Sequence, residues 1–484
     1  MNITLLLPTQ QQNEFALLTL LIKASPNWLS RDDLRTSLSL PASAIQKSYR
    51  QLESKLLTVY PKLALEVNTT LGYRINQNIN SYLGTILLSY LQDAPSFKIL
   101  SVAFDSHPFN AAILADSLEV SRATYYREVS NLNQFLASYE LSFDAKKGQL
   151  IGQRHVIRQF AQQFFWSAYK NSDFPLMSDR HLDVTSLIAE LEVLLGTSLD
   201  SVSQKKIRFS LAISFLDIRQ SHYIDQALLH RLPEDPLFQL IHNTLSRQFY
   251  LLDPSIIIKE SQFVYQTLLT RILSVNTDFS SGIVINYFSR YEPSSFAYVT
   301  DILAQLRSTY PALFSSAEDT LAFQTDLLIS QHHLLTDHSD RLAMADYPLE
   351  FFSQQYCSLY SGLISLFEKV ESQHKTNPED SAIRFKSLLS AIESSFDLTA
   401  FERLFTVQIM AERGLYSKKI KRELIRNSQH KIDFIDGQPT PTSPDLIITD
   451  TQIDGPKNTL LYHISYPPRA NDWHQINQLI AKIS

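Results

Sequence analysis

Apolar positions recur with two different periods along this chain, and the switches between them mark its parts. Phe15, Leu18, Leu21 and Ile22 fall on one helical face. Ser30 is placed to cap a second helix, with Asp33 at the capping-box position. Leu40 and Pro41 end it, and residues 42–57 read as a third helix that exposes Ser43, Gln46, Lys47 and Arg50. The period then changes to alternation between Leu63 and Ile75, as in a β-hairpin wing. Residues 1–80 are therefore expected to form a winged helix-turn-helix domain, with a plain three-helix domain plus hairpin as the alternative.

The same order of periods repeats over residues 81–172. Helices are predicted over 82–91 and 95–104. A short helix then ends near Leu118, and Ser121 can cap a second one that carries Arg122, Thr124, Tyr125, Tyr126 and Arg127 in its first turns. Such a helix offers hydrogen-bonding side chains from its N-terminal end, which is how helix-turn-helix proteins reach base edges. Adjacent helical residues point in different directions, so one of Tyr125 and Tyr126 is expected in the core. A second hairpin, Leu141 to Ile151, has Lys146, Lys147 and Gly148 at its tip, where the lysines can meet phosphate.

From about residue 177 to 400 the pattern is helical with few breaks. Leu211–His222 aligns without gaps to Leu327–His338, at an offset of 116 residues, and the Leu, Ile, Ser and His positions coincide. This suggests two helical modules, 173–285 and 286–400. Residues 401–484 alternate strands with helices, which predicts a small α/β domain with a mostly parallel sheet. The expected fold class is mainly α and multidomain.

Composition narrows the function classes. The chain has 484 residues, 44% of them hydrophobic and only 10 of them glycine, which suits a globular, helix-rich protein. No apolar run is long enough to span a membrane, and Met1 to Gln12 lacks the basic start and cleavage site of a signal peptide. The single cysteine, Cys357, forms no internal disulfide. A cytoplasmic location is expected. Net charge is -6, but residues 1–160 hold 15 basic against 12 acidic residues, and the remainder 28 against 37. The positive balance sits at the end expected to meet nucleic acid. There is no Gly-rich phosphate loop, nucleophile elbow or H-E-x-x-H spacing, so no enzyme activity and no cofactor are expected. His332, His333 and His338 are spaced onto poorly matched faces for a metal.

The order of parts resembles the Mga/AtxA-type transcription and virulence regulators of Gram-positive bacteria. The residues that carry the resemblance are Leu118 to Arg127, Asn131 to Asn133, and Leu150, Gly152, Ile157 and Arg158. The resemblance implies that the central modules are PTS regulation domains (PRDs), whose histidines accept phosphoryl groups from HPr or enzyme II components of the sugar phosphotransferase system. His222 matches in the first module; His338 is its repeat partner, with His332 and His333 close by. The tail resembles enzyme IIB, but the loop from Met410 to Ser417 has no cysteine. A structural role in homodimerisation is implied instead. The implied function is a regulator, expected to be an activator, that binds double-stranded promoter DNA. A PRD-type RNA-binding antiterminator and a non-DNA interaction protein linked to the phosphotransferase system are the alternatives.

Overall fold

The computed structural model describes all residues except 60–64, 76–81, 105–110, 175–183, 272–277, 315, 337–343, 345–346, 375–377, 429–430, 436–443, 454–458, 466 and 484. The elements run α1 (Thr9–Ala24), α2 (Arg31–Leu38), α3 (Ala42–Val59), β1 (Leu65–Asn68), β2 (Gly72–Ile75), α4 (Leu83–Asp93), α5 (Pro95–Phe104), α6 (Ala111–Ser117), α7 (Arg122–Ala137), β3 (Ser142–Asp144), β4 (Gln149–Ile151) and α8 (Arg154–Tyr169). Helices follow: α9 (Val184–Leu195), α10 (Ser201–Arg219), α11 (Pro236–Gln248), α12 (Pro254–Arg271), α13 (Asp278–Tyr291), α14 (Pro293–Thr309), α15 (Ala317–Thr336), α16 (Leu349–Gln355), α17 (Cys357–His374) and α18 (Pro378–Ser395). The chain closes with β5 (Leu404–Met410), α19 (Gly414–Asn427), β6 (Lys431–Phe434), β7 (Leu446–Thr449), β8 (Leu460–His463) and α20 (Ala470–Ile483). It is mostly helical, and among the described residues no helix is long and apolar enough to cross a membrane.

Two compact units result: Met1–Pro293 with Gln331–Ala343, and Ser294–Ser330 with Met344–Ser484. In the first unit, α2 starts where the sequence predicts. Ser30 accepts from the Asp33 N–H, and Asp33 accepts from the Ser30 N–H. The β1–β2 hairpin is antiparallel, and Leu29 and Tyr73 exchange both backbone hydrogen bonds at 2.9 Å. Gly72 is required there. Its φ is +100°, and a Cβ would stand 2.0 Å from the Leu29 carbonyl oxygen.

With so few glycines, helices end on other residues in the left-handed region. Glu119, Glu140 and Ser221 have φ of 54°, 57° and 60°. At each, two backbone bonds close the helix: Glu119 N–H to Asp116 and Val120 N–H to Ala115; Glu140 N–H to Ala137 and Leu141 N–H to Leu136; Ser221 N–H to Ile218 and His222 N–H to Asp217. This pairing is the Schellman termination, which places the C″ residue at a fixed position under the helix.

Helix α8 is buried almost all round and so belongs to two layers at once. Ile157, Phe160, Ala161, Phe164 and Phe165 join one continuous hydrophobic core. That core runs from Ile3 through both hairpin domains to Phe174 and on to Phe209, Ala212 and Ile213 of α10. The expected boundaries near residues 80 and 172 therefore do not separate cores. On the α10 side, Arg154, Arg158 and Gln162 form an i, i+4, i+8 stripe. Gln162 donates to the Ser210 carbonyl at 3.2 Å.

Arg158 has no solvent exposure. It donates through Nε to Asp217 Oδ2 at 2.8 Å, through its terminal nitrogens to Glu260, and to the His222 carbonyl at 2.8 Å. Arg154 also bonds Asp217. Carboxylates elsewhere in the interior are met by phenols. Tyr90 donates to Glu14 at 2.8 Å, Tyr265 to Asp235 at 2.6 Å and Tyr298 to Glu371 at 2.8 Å.

The second unit contains helices and the C-terminal sheet. Phe396 packs edge-on to Phe314, and Ser330 bonds Ser387. The sheet has the order β6-β5-β7-β8, parallel throughout. Phe405, Val407, Leu446 and Ile448 pack against Ile420 and Leu424 of α19 and Trp473, Ile476 and Ile480 of α20.

Two stability outcomes are expected. Glu119→Gly should raise the denaturant midpoint, because it removes part of the roughly 1–2 kcal/mol that a side chain costs in the left-handed region; a lowered midpoint would contradict a strained turn at this position. Arg158→Met should lower stability by about 3–5 kcal/mol, since buried Glu260 loses its cation and Asp217 keeps only Arg154; an unchanged midpoint would show that the ionic cluster does not hold the fold.

Candidate nucleic-acid interface and histidine segment

The second hairpin domain builds its presenting surface from the N-terminus of α7. Ser121 caps the helix by accepting from the Thr124 N–H at 3.1 Å, and the two hydroxyls lie 2.9 Å apart. Tyr125, Val129, Leu132 and Leu136 form the buried face, and Arg122, Tyr126 and Arg127 are exposed. Of the candidates, Ser121, Arg122 and Arg127 are exposed and Thr124 is partly so.

Tyr125 needs correction. Its side chain is 0% exposed, and its hydroxyl donates to the Ala145 carbonyl at 3.0 Å. Burial first, then Tyr126 and Asp144 nearby, push that hydroxyl up to about 12. It holds the hairpin turn and cannot reach a base. Tyr126, 46% exposed, is the aromatic ring on the surface. The choice between two adjacent tyrosines rests on helix phase, which Val129 and Leu132 fix four and seven residues after Tyr125.

Helix and hairpin form one rigid piece. Asn133 accepts from the Phe143 N–H at 2.6 Å and donates to the Phe143 carbonyl at 3.2 Å. At the tip, Asp144 Oδ1 accepts from the N–H groups of Lys146 and Lys147 at 2.8 and 3.1 Å, and Gly148 has φ +65°. These backbone bonds, with Lys147 foremost, hold the Asp144 carboxyl below its ordinary value. The two lysine side chains point outward and are exposed. Gly152 allows close approach, since a Cβ would lie 2.3 Å from Leu141 Cδ2.

In the first hairpin domain, Ser43, Gln46, Lys47 and Arg50 share the exposed face of α3, opposite Ile45, Tyr49 and Leu52. Its hairpin is stiffened by Arg74, which pairs with Glu66 at 2.7 Å and lies over the Trp28 ring at 4.4 Å. Both sets of sequence-predicted contact residues therefore sit on surfaces, Tyr125 excepted.

The histidines separate in the same way. His222 follows the Schellman end of α10. Its side chain is 43% exposed, and Nδ1 faces Asp217 Oδ1 at 3.9 Å. Burial acts to raise the Asp217 carboxyl, but His222, Arg158 and Arg154 outweigh it and hold the group below its ordinary value. His332 is corrected as an accessible acceptor. It is 3% exposed, and Nδ1 lies 2.5 Å from Glu292 Oε1, with the Phe288 ring edge-on. Its place four residues after Leu328 on the buried face of α15 could have signalled this. His333 is partly buried, and His338 lies outside the described residues.

Sequence reasoning missed the Arg158 network. Its signal was Asp217, an acid inside the apolar run from Leu211 to Ile218. In the tail, the loop after β5 has no cysteine, and the Glu412 N–H is taken by Asp450 at 2.9 Å. Cys357 is exposed at the start of α17.

Residues 73–165 match the family model of the Mga helix-turn-helix domain. No curated protein matches the chain. The matched span runs from β2 to within four residues of the end of α8 and contains α7, its hairpin and Arg158. Over this span the chain is similar to the Mga helix-turn-helix domain, which is consistent with a regulator of the Mga type.

Proposed function

We propose that this protein is a transcriptional regulator, an activator, that binds promoter DNA as a homodimer and is tuned by phosphorylation of His222. The observation that carries the DNA reading is the composite surface of Arg122, Tyr126, Arg127, Lys146 and Lys147. Asn133 and Tyr125 fix helix and hairpin in one geometry, so base and phosphate contacts are presented without an ordering cost. The exposed face of α3 supplies a second set, from Ser43, Gln46, Lys47 and Arg50.

His222 is the acceptor we favour, because its ring is exposed beside an acid at a fixed helix end. With Nδ1 carrying its proton toward Asp217, the Nε2 lone pair can form the new N–P bond. The N–P bond of a phosphohistidine donor such as HPr breaks, and the donor nitrogen keeps that electron pair. The ring proton exchanges with solvent, and no other reactant is consumed. The cysteine-free tail fits self-association better than phosphotransfer, and a dimer could grip two half-sites.

Arg122→Ala/Arg127→Ala is expected to weaken promoter binding at least tenfold near physiological salt. It should also reduce the slope of log K against log salt, by about 0.9 for each phosphate no longer neutralised. Unchanged affinity across a salt series in gel-shift titrations would refute the reading surface. Incubation with phosphoenolpyruvate, enzyme I and HPr should label His222 and leave His332 unlabelled, as mapped by mass spectrometry under conditions that preserve phosphohistidine. Absence of label on His222 would end the phosphorylation reading and leave DNA binding standing.

A further inference from the structure

His222 is tied to the DNA-binding domain by two residues that also hold each other. Its N–H bonds the Asp217 carbonyl at 2.9 Å, and its carbonyl accepts from Arg158 at 2.8 Å. Its ring faces Asp217 Oδ1, the oxygen that also receives Arg154. Glu260 completes the cluster by taking Arg158 and the Ile224 N–H, the latter at 2.8 Å. Lys259 bonds the Asp225 carbonyl at 2.9 Å on the same segment. Arg154 and Arg158 are the first and fifth residues of α8, and β4 of the hairpin ends at Ile151. Only Gly152 and Gln153 lie between, and Gly152 is packed against Leu141. A movement of the first turn of α8 has little slack before it reaches the hairpin that carries Lys146 and Lys147.

We infer that Asp217 is the pivot through which charge at His222 controls the hairpin, with Arg154 as the member that moves. The inference rests on the reading of His222 as a phosphoryl acceptor. A phosphoryl group adds about two negative charges and oxygens that attract guanidinium. The Arg154 side chain is 20% exposed and can turn toward that group; Arg158, at 0%, is caged by Asp217 and Glu260 and cannot. Asp217 then loses one of its two cations, the first turn of α8 loosens, and the hairpin with α7, kept together by Asn133 and Tyr125, shifts as one piece relative to α10. Arg154 and Asp217 are positioning residues here, since neither touches DNA.

The test uses the full chain with His222→Glu as the charge surrogate, so that it does not depend on phosphotransfer. Amide exchange over residues 150–158 should quicken, and affinity for promoter DNA should fall at least fivefold. Arg154→Gln should reproduce both effects, and His222→Glu added to it should change neither further. Arg154→Lys should keep the response, which separates charge from packing. Unaltered exchange in His222→Glu would overturn the coupling, as would effects of His222→Glu and Arg154→Gln that simply add. A silent His222→Glu in a chain whose His222 accepts label defeats the coupling alone. An unlabelled His222 beside a responsive His222→Glu defeats the phosphorylation reading alone.

Discussion

The guanidinium of Arg158 sits where no water reaches it, between Asp217 on α10 and Glu260 on α12. Removing such an ion from water costs several kcal/mol, and only near-complete neutralisation and hydrogen bonding offset it. Here both carboxylates and the His222 carbonyl meet it, and the remaining oxygens of the acids are used by Arg154 and the Ile224 N–H. The geometry tolerates one register. A one-residue slip of α8 would turn Arg158 by about 100° and leave all three charges uncompensated. The aromatic face of α8 obeys the same register, because Phe160 and Phe164 must enter the hairpin-domain core while Arg158 enters the ionic one. The hairpin core and helices α10 and α12 are thereby indexed to each other through one helix.

Much of this was legible in the linear pattern. The capping box at Ser30, the cap at Ser121, both hairpins and the parallel tail followed from period changes and turn chemistry, which act over a few residues. What escaped was long in sequence. Arg158 meets partners 59 and 102 positions away, and no local period encodes that. Tyr125 and Tyr126 illustrate the finer limit: either could be the core residue until Val129 and Leu132 are used to set the helix phase. His332 shows the opposite case, where the apolar phase of α15 already argued for burial while the resemblance to phosphorylated modules implied an open ring.

The C-terminal sheet has its own topology. Its strand order reverses direction between β5 and β7, the place where α/β sheets open a ligand crevice beyond the strand ends. In this chain that loop is tied to Asp450 through the Glu412 N–H. Phe405, Val407 and all of β7 are buried, and they form the framework of the domain.

Helix α8 also sets the size of the piece that evolution could exchange. A segment cut just after the matched region would carry away Arg154 and Arg158 and leave Asp217 and Glu260 behind, so both fragments would inherit a buried charge without its counterpart. The smallest transferable cassette is therefore larger than the DNA-binding domain and reaches through α12.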